Sequence, residues 1–240
     1  MKQGIKSNLK RIKFVNWLYT CYVTFRKLHY KRKVCKQLRL VGPEILSVVH
    51  MGCTNAKIPY CIAYGTLLGC IREHAFIKHD DDVDFWILPG FNNYKLLIET
   101  MLNLGFKFKR AFMYQSHVTE IAFIYKGVSV DFFFNFEEDN KIWTQVYSTG
   151  GVIPEDEQRI RCLSTVRTYA PKVERLKEVM FEQTLVCVPE NAESVLCAHY
   201  GKLWNIPNAK WVGCAEGDWC KRKQMTQEAF VVGLRVLMKG

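Results

Sequence analysis

Apolar and polar positions change their period several times along the chain, and each change predicts an element. The unbroken apolar run "IPYCIAYG" (58–65) predicts a buried strand, and "TLLGCIR", after Gly65, predicts a short helix. The run "VDFWIL" (83–88) predicts a second strand, which Pro89 and Gly90 end. Buried strands separated by a helix indicate a domain that contains both kinds of secondary structure.

Further along, the pattern predicts a helix and then antiparallel strands. Apolar residues in "NNYKLLIETMLNLG" (92–105) recur at helical spacing. Strand-like patterns follow in "FKFKRAFMYQ", "VTEIAFIYKG" and "VSVDFFFNF", and the turn in "IYKGVSV" predicts that the last two form a hairpin. Residues 148–170 have an irregular pattern. We therefore expect an α+β fold with a mixed α/β sheet.

The C-terminal third predicts two more elements. "KEVMFEQTLVCVP" (177–189) has the pattern of a strand or a strand pair. "ENAESVLCAHYG" (190–201) predicts a helix with Asn191 at its N-cap and Gly201 at its end.

The N-terminal segment differs from the rest in charge. Residues 1–43 hold twelve of the 34 Lys and Arg residues and no acid, so the other 22 basic and 23 acidic residues nearly cancel. A break at "VGPEI" (41–45) predicts a basic helical extension over 1–43 and a separate domain over 44–240. Aromatic residues interleave with the basic ones, and this pattern fits a helix on an anionic membrane surface. A helix packed on the core and a nucleic-acid-binding segment are alternatives, but the neutral body favours no nucleic-acid partner.

Ten cysteines show neither zinc-site spacing nor a C-x-x-C pair, which indicates reduced thiols and a cytoplasmic protein. The apolar run "FVNWLYTCYVTF" (14–25) is 12 residues long, whereas a membrane span needs about 20. We therefore expect no signal peptide and no spanning helix. Together with the basic segment, this predicts a peripheral protein on the inner face of the membrane.

The acidic run "HDDDVDFW" (79–86) is the strongest chemical signal. In an extended chain Asp80, Asp82 and Asp84 share one face, while Val83 and Phe85 point to the core. Such carboxylates repel one another unless a cation joins them, and clustered carboxylates suit Mg²⁺ or Mn²⁺. A solvated acidic turn is the alternative.

A further carboxylate, Asp131, lies in the apolar strand "VSVDFFFNF", where burial is costly unless a partner neutralises it. It is either another metal ligand from a neighbouring strand or the partner of a buried Arg or Lys. Upstream, Gly65 and Thr66 begin the short helix and are candidates for binding a phosphate. Arg72 is placed either to offset phosphate charge or to pair with the aspartates.

The stretch "YGTLLGCIREHAFIKHDDDVDFWI" (64–87) resembles the signature of the LicD/fukutin-type phosphotransferase family: Gly-[Ser/Thr]-Leu-Leu-Gly, an Arg, Phe-Ile and then Trp-Asp-x-Asp-x-Asp. "VDFFF" (130–134) is similar to the family's later acidic strand, and "VCVPENAESVLCAHYGKLWNIP" (186–207) to its C-terminal signature. His79 stands where the family has Trp, and Lys78 where it has Pro. Residues 1–43 lie outside the resemblance.

This resemblance implies a nucleotidyltransferase-like core that moves a phospho-alcohol, such as phosphocholine or ribitol phosphate, from a CDP-linked donor to a glycan. Gly65 and Thr66 would bind the donor phosphate. Asp82, Asp84 and Asp131 would be the catalytic and metal-binding residues, with Asp80 matching the family's first acid. These carboxylates predict Mg²⁺ (or Mn²⁺) as cofactor. The acceptor would be a sugar hydroxyl, and the basic N-terminal segment fits an acceptor that is lipid-linked.

Alternatives remain from other classes. The same core could use an NTP donor, or the chain could be a catalytically silent membrane adaptor. His117 and His199 are alternative bases, although a lone His is more often a packed, hydrogen-bonded residue. Trp204 and Trp211 either stack on a ligand or pack on the core.

Overall fold

The computed structural model describes residues 2–147, 152–208 and 224–239. It contains helices and a large curled, mostly antiparallel sheet, so the predicted α+β class is confirmed. The helices are α1 (Lys2–Asn55), α2 (Tyr64–Leu68), α3 (Tyr94–Asn103), α4 (Ala192–Tyr200) and α5 (Leu234–Lys239), and a π-helical turn (Gly69–Glu73) follows α2. The strands are β1 (Tyr60–Ile62), β2 (Asp82–Ile87), β3 (Lys107–Tyr114), β4 (His117–Tyr125), β5 (Val128–Phe134), β6 (Phe136–Glu138), β7 (Lys141–Tyr147), β8 (Arg159–Pro171), β9 (Leu176–Phe181), β10 (Thr184–Pro189) and β11 (Gln224–Val232).

The main sheet has nine strands within the described residues, in the order β1-β2-β5-β4-β3-β11-β8-β7-β6, while β9 and β10 form a separate hairpin. Of the nine, only β2 and β5 pair in parallel. One residue, Asn135, separates β5 from β6, although these strands hold the third and the last place in the sheet. The sheet must therefore curl so that its far end returns towards β5.

Residues 92–134 form the elements that the pattern predicts. Of the apolar residues at helical spacing in α3, Leu97, Ile98 and Met101 are buried. Tyr94 is half-buried and Leu102 is exposed. The β4–β5 hairpin turns at Lys126 and Gly127, which both have positive φ (47° and 86°), as a tight two-residue turn requires. Val83 and Phe85 are buried in the core, as alternation in β2 predicts.

The predicted break at "VGPEI" is wrong, because α1 continues through Pro43. A proline inside a helix costs about 3 kcal/mol, since it removes one hydrogen bond and crowds the preceding turn. Apolar side chains of α1 on both sides of Pro43 are buried against the core: Leu38, Val41, Ile45 and Leu46. Each such burial gains about 2 kcal/mol, so packing outweighs the local penalty. The division into an extension (1–43) and a catalytic domain (44–240) stays a prediction.

The N-terminal part of α1 extends beyond this packed region. The Tyr22 and Phe25 side chains are 57% and 68% exposed, and Leu28 and Tyr30 are exposed as well. These residues therefore do not pack on the core, which was the alternative for this basic segment. The predicted membrane aromatic Trp17 lies outside the residues whose side chains are described.

The prediction of an irregular 148–170 is wrong from Arg159 onward, where β8 begins. Strand β8 pairs with β7 on one side and β11 on the other. Its buried positions include Thr165 and Thr168, so the strand shows no alternation of apolar and polar residues. Residues 148–151 lie outside the described residues.

The C-terminal predictions are confirmed in outline. The run 177–189 contributes to the hairpin β9–β10, and α4 ends at Gly201 as predicted. Asn191 occupies the N-cap position of α4, but its amide donates to the carbonyl of Lys172 instead of capping the helix. None of the eight cysteines within the described residues forms a disulfide.

Candidate active site

Three aspartates meet where β2 and β5 run side by side. The parallel register pairs Asp84 directly with Asp131. Asp82 lies two residues before Asp84, on the same face of β2. One carboxylate oxygen from each of the three lies within 4.8 Å of the others. The residues that the sequence proposed from two separate segments are therefore brought together by the pairing of these two strands.

The three carboxylates are largely removed from water. Asp84 is 9% exposed and Asp131 8% exposed, and Asp82 is half-buried. Burial, followed by the charge of Asp131, raises the pKa of Asp82 to about 7. Burial and then the charges of Asp82 and Asp131 raise the pKa of Asp84 well above its usual range. Both causes act against the ionised form, so the cluster stores electrostatic repulsion that a cation would relieve.

Asp131 has a short chain of polar partners. The Ser129 hydroxyl donates to Asp131 Oδ1 at 3.0 Å, and Lys109 Nζ donates to the Ser129 hydroxyl at 2.9 Å. Burial raises the pKa of Asp131, while the Lys109 charge and the Ser129 hydrogen bond act to lower it. Lys109 therefore places a positive charge beside the acidic group from β3, which lies two places from β5 in the sheet, and Ser129 fixes the orientation of Asp131.

A fourth acid, Glu120, was missed by the sequence reasoning. It lies on β4 opposite Phe133, two residues from Asp131 on the adjacent strand, and it is buried. Burial, followed by the Asp131 charge, raises the pKa of Glu120 to about 8. The signal that singled out Asp131, an isolated acid inside an apolar strand, also exists in "VTEIAFIY" and could have identified Glu120.

Thr66 and Ala63 hold the backbone of β2 at the acidic group. The Thr66 hydroxyl accepts a hydrogen bond from the Asp84 N–H at 2.9 Å, and the Ala63 N–H donates to the Asp84 carbonyl at 2.9 Å. The predicted phosphate-binding residue Thr66 thus has a positioning contact of its own. Its hydroxyl still has one proton to donate.

Asp80 does not join the group of three, although it was predicted as a ligand with them. Its carboxylate packs on Gly65, where an added Cβ would lie 2.8 Å from Asp80 Oδ2. Gly65 is therefore needed for close approach, but the group that approaches it in this structure is a carboxylate. Burial raises the pKa of Asp80 to about 6, and the Arg72 charge acts to lower it.

Arg72 is held by its own neighbours. Its Nε donates to Glu73 Oε1 at 2.8 Å, and its Nη1 donates to the Trp204 carbonyl at 3.1 Å. Within the described residues its ion pair is with Glu73 and not with an aspartate, although its charge still acts on Asp80. The predicted contact with a donor phosphate stays a prediction. Trp204 is half-buried and packs against the core, and Trp211 lies outside the described residues.

The two histidines proposed as bases lie in different surroundings. His199 is buried in α4, stacked on Tyr64 with ring centroids 5.0 Å apart and edge-on to Trp86 at 5.4 Å. Burial lowers its pKa to about 4, so it is neutral at pH 7. His117 is exposed at the start of β4, with its ring against Phe136. His199 is packed, as the alternative predicts, but its buried Nδ1 has no hydrogen-bond partner among the described residues, so the hydrogen-bonded part of that alternative is not met.

The donor set of the acidic group suits a hard divalent cation. Asp82, Asp84 and Asp131 offer oxygen ligands alone, and Mg²⁺ and Mn²⁺ prefer such ligands. A bound cation would offset the mutual repulsion of these buried carboxylates. The residues present therefore fit the predicted metal.

Comparison with known proteins adds the family. The family model described as "LicD/FKTN/FKRP, nucleotidyltransferase domain" matches residues 57–191, more than half of the chain. Ribitol-5-phosphate transferase FKTN of Homo sapiens is 28% identical over 183 residues, which are 75% of this chain and 35% of that protein. The Macaca fascicularis protein of the same name gives the same identity and coverage.

A bacterial relative matches a shorter segment. Lipopolysaccharide cholinephosphotransferase LicD of Haemophilus influenzae is 39% identical over 57 residues, 24% of this chain and 22% of that protein. The chain spans about a third of the length of the FKTN relatives. The residues of the acidic group, Lys109 and Glu120 all fall inside the matched range 57–191. By this match, which agrees with the motif resemblance, the chain belongs to the LicD/FKTN/FKRP nucleotidyltransferase-domain family.

Proposed function

We propose that this chain transfers a phospho-alcohol from a CDP-linked donor to a sugar hydroxyl of a glycan or of its lipid-linked precursor, with Mg²⁺ or Mn²⁺ bound by Asp82, Asp84 and Asp131. One observation carries the proposal: three buried carboxylates from two parallel strands come within 4.8 Å of one another. The relatives support the class of reaction, because one is named a ribitol-5-phosphate transferase and another a cholinephosphotransferase.

The protein residues have distinct tasks in this proposal. Lys109 and Ser129 hold Asp131 in one orientation, from which its free oxygen can orient the acceptor hydroxyl or take its proton. Thr66 and Ala63 fix the strand that carries Asp84. When bound, the cation would supply positive charge for the donor diphosphate and the departing nucleotide. Gly65, Thr66 and Arg72 are the candidates for donor phosphate contacts, and Asp80 must move from Gly65 if a phosphate is to reach that backbone.

We also propose that α1 holds the protein at an anionic membrane surface on the cytoplasmic side, where a lipid-linked acceptor would lie. Exposed Tyr22, Phe25, Leu28 and Tyr30 and the surrounding Lys and Arg residues support this. The described part of the chain has no helix with both the length and the apolar character of a membrane span. Co-sedimentation with anionic vesicles that falls in a Tyr22→Glu, Phe25→Glu variant supports the proposal, and unchanged co-sedimentation overturns it.

Transfer is tested with a panel of donors. Purified protein is incubated with Mg²⁺, an acceptor glycan and either CDP-ribitol, CDP-choline, CDP-glycerol or free NTPs, and release of CMP or diphosphate is measured. Asp82→Asn should reduce turnover on the order of a thousandfold, because it removes a ligand and a charge from the site. Asp81→Asn is the matched control, since Asp81 lies in the same acidic run but pairs with Lys31 at the surface.

Each result of the panel has a meaning. CMP release that needs Asp82 and tolerates Asp81→Asn supports transfer from a CDP-linked donor. Diphosphate release from an NTP with the same dependence overturns the donor assignment and favours a nucleotidyltransferase. Equal turnover in Asp82→Asn and Asp81→Asn overturns the assignment of the site, provided that circular dichroism shows both variants folded.

A further inference from the structure

A second cluster of ligand-type side chains lies outside the acidic site. It joins His50 of α1, Glu178 of β9 and Cys187 of β10, and one ligand atom from each lies within 4.8 Å of the others. These residues belong to the long helix and to the separate β9–β10 hairpin, which pack together. None of them takes part in the proposed transfer.

The geometry of this cluster is set by three elements. Register places Cys187 directly opposite Glu178 across the hairpin, which brings their side chains to the same face. His50 Nε2 approaches Glu178 Oε1 at 3.7 Å from the side of α1. Cys187 and His50 are half-buried, while Glu178 is exposed, so an ion can enter from solvent.

Tyr60 orients the imidazole. Its hydroxyl lies 2.8 Å from His50 Nδ1, and Tyr60 itself is buried in β1. A histidine that ligates a metal through one nitrogen usually donates the N–H of the other to a fixed oxygen. With Nδ1–H donated to the Tyr60 hydroxyl, Nε2 presents its lone pair on the side of Glu178.

We propose that His50, Glu178 and Cys187 form a zinc site that fastens α1 to the β9–β10 hairpin. One imidazole nitrogen, one thiolate and one carboxylate are ligands that Zn²⁺ accepts in tetrahedral sites, with water or a further ligand in the fourth place. A sulfur ligand selects against Mg²⁺ and Ca²⁺, so this site and the acidic one would take different ions. The zinc would join elements that are far apart in sequence. It would fix the C-terminal part of α1, the helix whose N-terminal part carries the exposed basic segment.

The test uses the full chain in the Asp84→Asn background, because zinc can also bind carboxylates. Zinc binding is measured by competition with a chromophoric chelator under reducing conditions, and Co²⁺ is used as a spectroscopic probe. Cys187→Ser should weaken zinc binding at this site by about a hundredfold or more and remove the near-ultraviolet thiolate-to-Co²⁺ band. Cys197→Ser, which changes another half-buried cysteine, should leave both unchanged.

Two further variants keep the test decisive if Cys187→Ser does not fold. His50→Gln removes a ligand from a helix without touching the hairpin, and it should also abolish the tight site. Tyr60→Phe keeps the ring and should weaken binding by roughly tenfold to a hundredfold, because it removes the hydroxyl that orients His50 and also hydrogen-bonds Cys187. Zinc affinity in His50→Gln equal to that of Cys197→Ser, or a Co²⁺ complex without a thiolate band in the unaltered cluster, overturns the proposal.

Discussion

Two sites with buried ionisable side chains lie along β2, within three residues of each other. At Asp84 it contributes to a group of acids whose charges raise one another's pKa. At Trp86 it contributes to an aromatic pocket in which His199 lies against Tyr64 and Trp86. Both places are largely buried, and in both burial is the largest cause of the pKa shift.

The difference lies in what neutralises each group. His199 lies among aromatic rings, and neutral imidazole is stable there without any partner charge. The acids would have to take up several protons together, or accept a cation. A lone buried base therefore indicates packing, whereas buried like charges from separate strands indicate a missing ligand. Three predictions test this distinction, beginning with the largest effect.

The first prediction concerns the response to Mg²⁺. The folded-state pKa of Asp84 is raised, so its charged form costs stability as pH rises through that pKa. At about pH 8 and without metal, the free energy of unfolding of Asp84→Asn should therefore exceed that of the unaltered protein by about 1–2 kcal/mol. Mg²⁺ at about a hundred times its dissociation constant should stabilise the unaltered protein by about 2.7 kcal/mol. The same Mg²⁺ concentration should stabilise Asp84→Asn very little.

Urea denaturation with Mg²⁺ and with EDTA measures both effects. Asp81→Asn serves again as the control. Asp81 is outside the group of three, although its charge acts on Asp82, so the response of this variant to Mg²⁺ should stay close to that of the unaltered protein. If Asp84→Asn is less stable than the unaltered protein in EDTA, the repulsion inferred for the acidic group is wrong. If Mg²⁺ stabilises Asp84→Asn as much as the unaltered protein, the cation binds elsewhere.

Local pattern predicts the centre of this fold better than its outer strands. The β4–β5 hairpin was predicted from the turn in "IYKGVSV", where Lys126 and Gly127 both have positive φ, and β2 was predicted from an apolar run. Strand β8 was missed because polar residues occupy buried positions on both of its faces, Thr165 on one and Thr168 on the other. The predicted break at Pro43 failed for the opposite reason, since tertiary packing of α1 overrides a local helix breaker.

Local sequence pattern also predicted part of the acidic site. Period-two spacing places Asp82 and Asp84 on one face, and an isolated acid marks Asp131. Sequence gives no distance between these segments, because the pairing of β2 with β5 is tertiary. It also gave no reason to separate Asp80 from the group. The cluster of His50, Glu178 and Cys187 has no sequence signature, since its ligands come from α1 and from opposite strands of the hairpin.

The second prediction concerns the pH dependence of His199. Its folded pKa of about 4 lies below the ordinary value of 6.5, so between these values the unfolded chain binds a proton that the folded chain does not. Stability that is present above about pH 6.5 should be lost as pH falls towards 4, by about 1 kcal/mol at about pH 5.5. His199→Phe keeps an aromatic ring in the pocket and should remove this part of the slope. Equal slopes of unfolding free energy against pH in the two proteins would contradict the neutral, packed assignment.

The third and smallest prediction concerns the counter-charge beside the acids. Lys109 donates to Ser129, and its charge acts to lower the pKa of Asp82, Glu120 and Asp131. Lys109→Met should therefore cost the metal-free protein about 1 kcal/mol, measured by urea denaturation in EDTA. Lys107→Met is the matched control on the same strand, because Lys107 is exposed and its replacement should change stability by less than about 0.5 kcal/mol. If the two variants are equally stable, Lys109 does not offset the acidic charge.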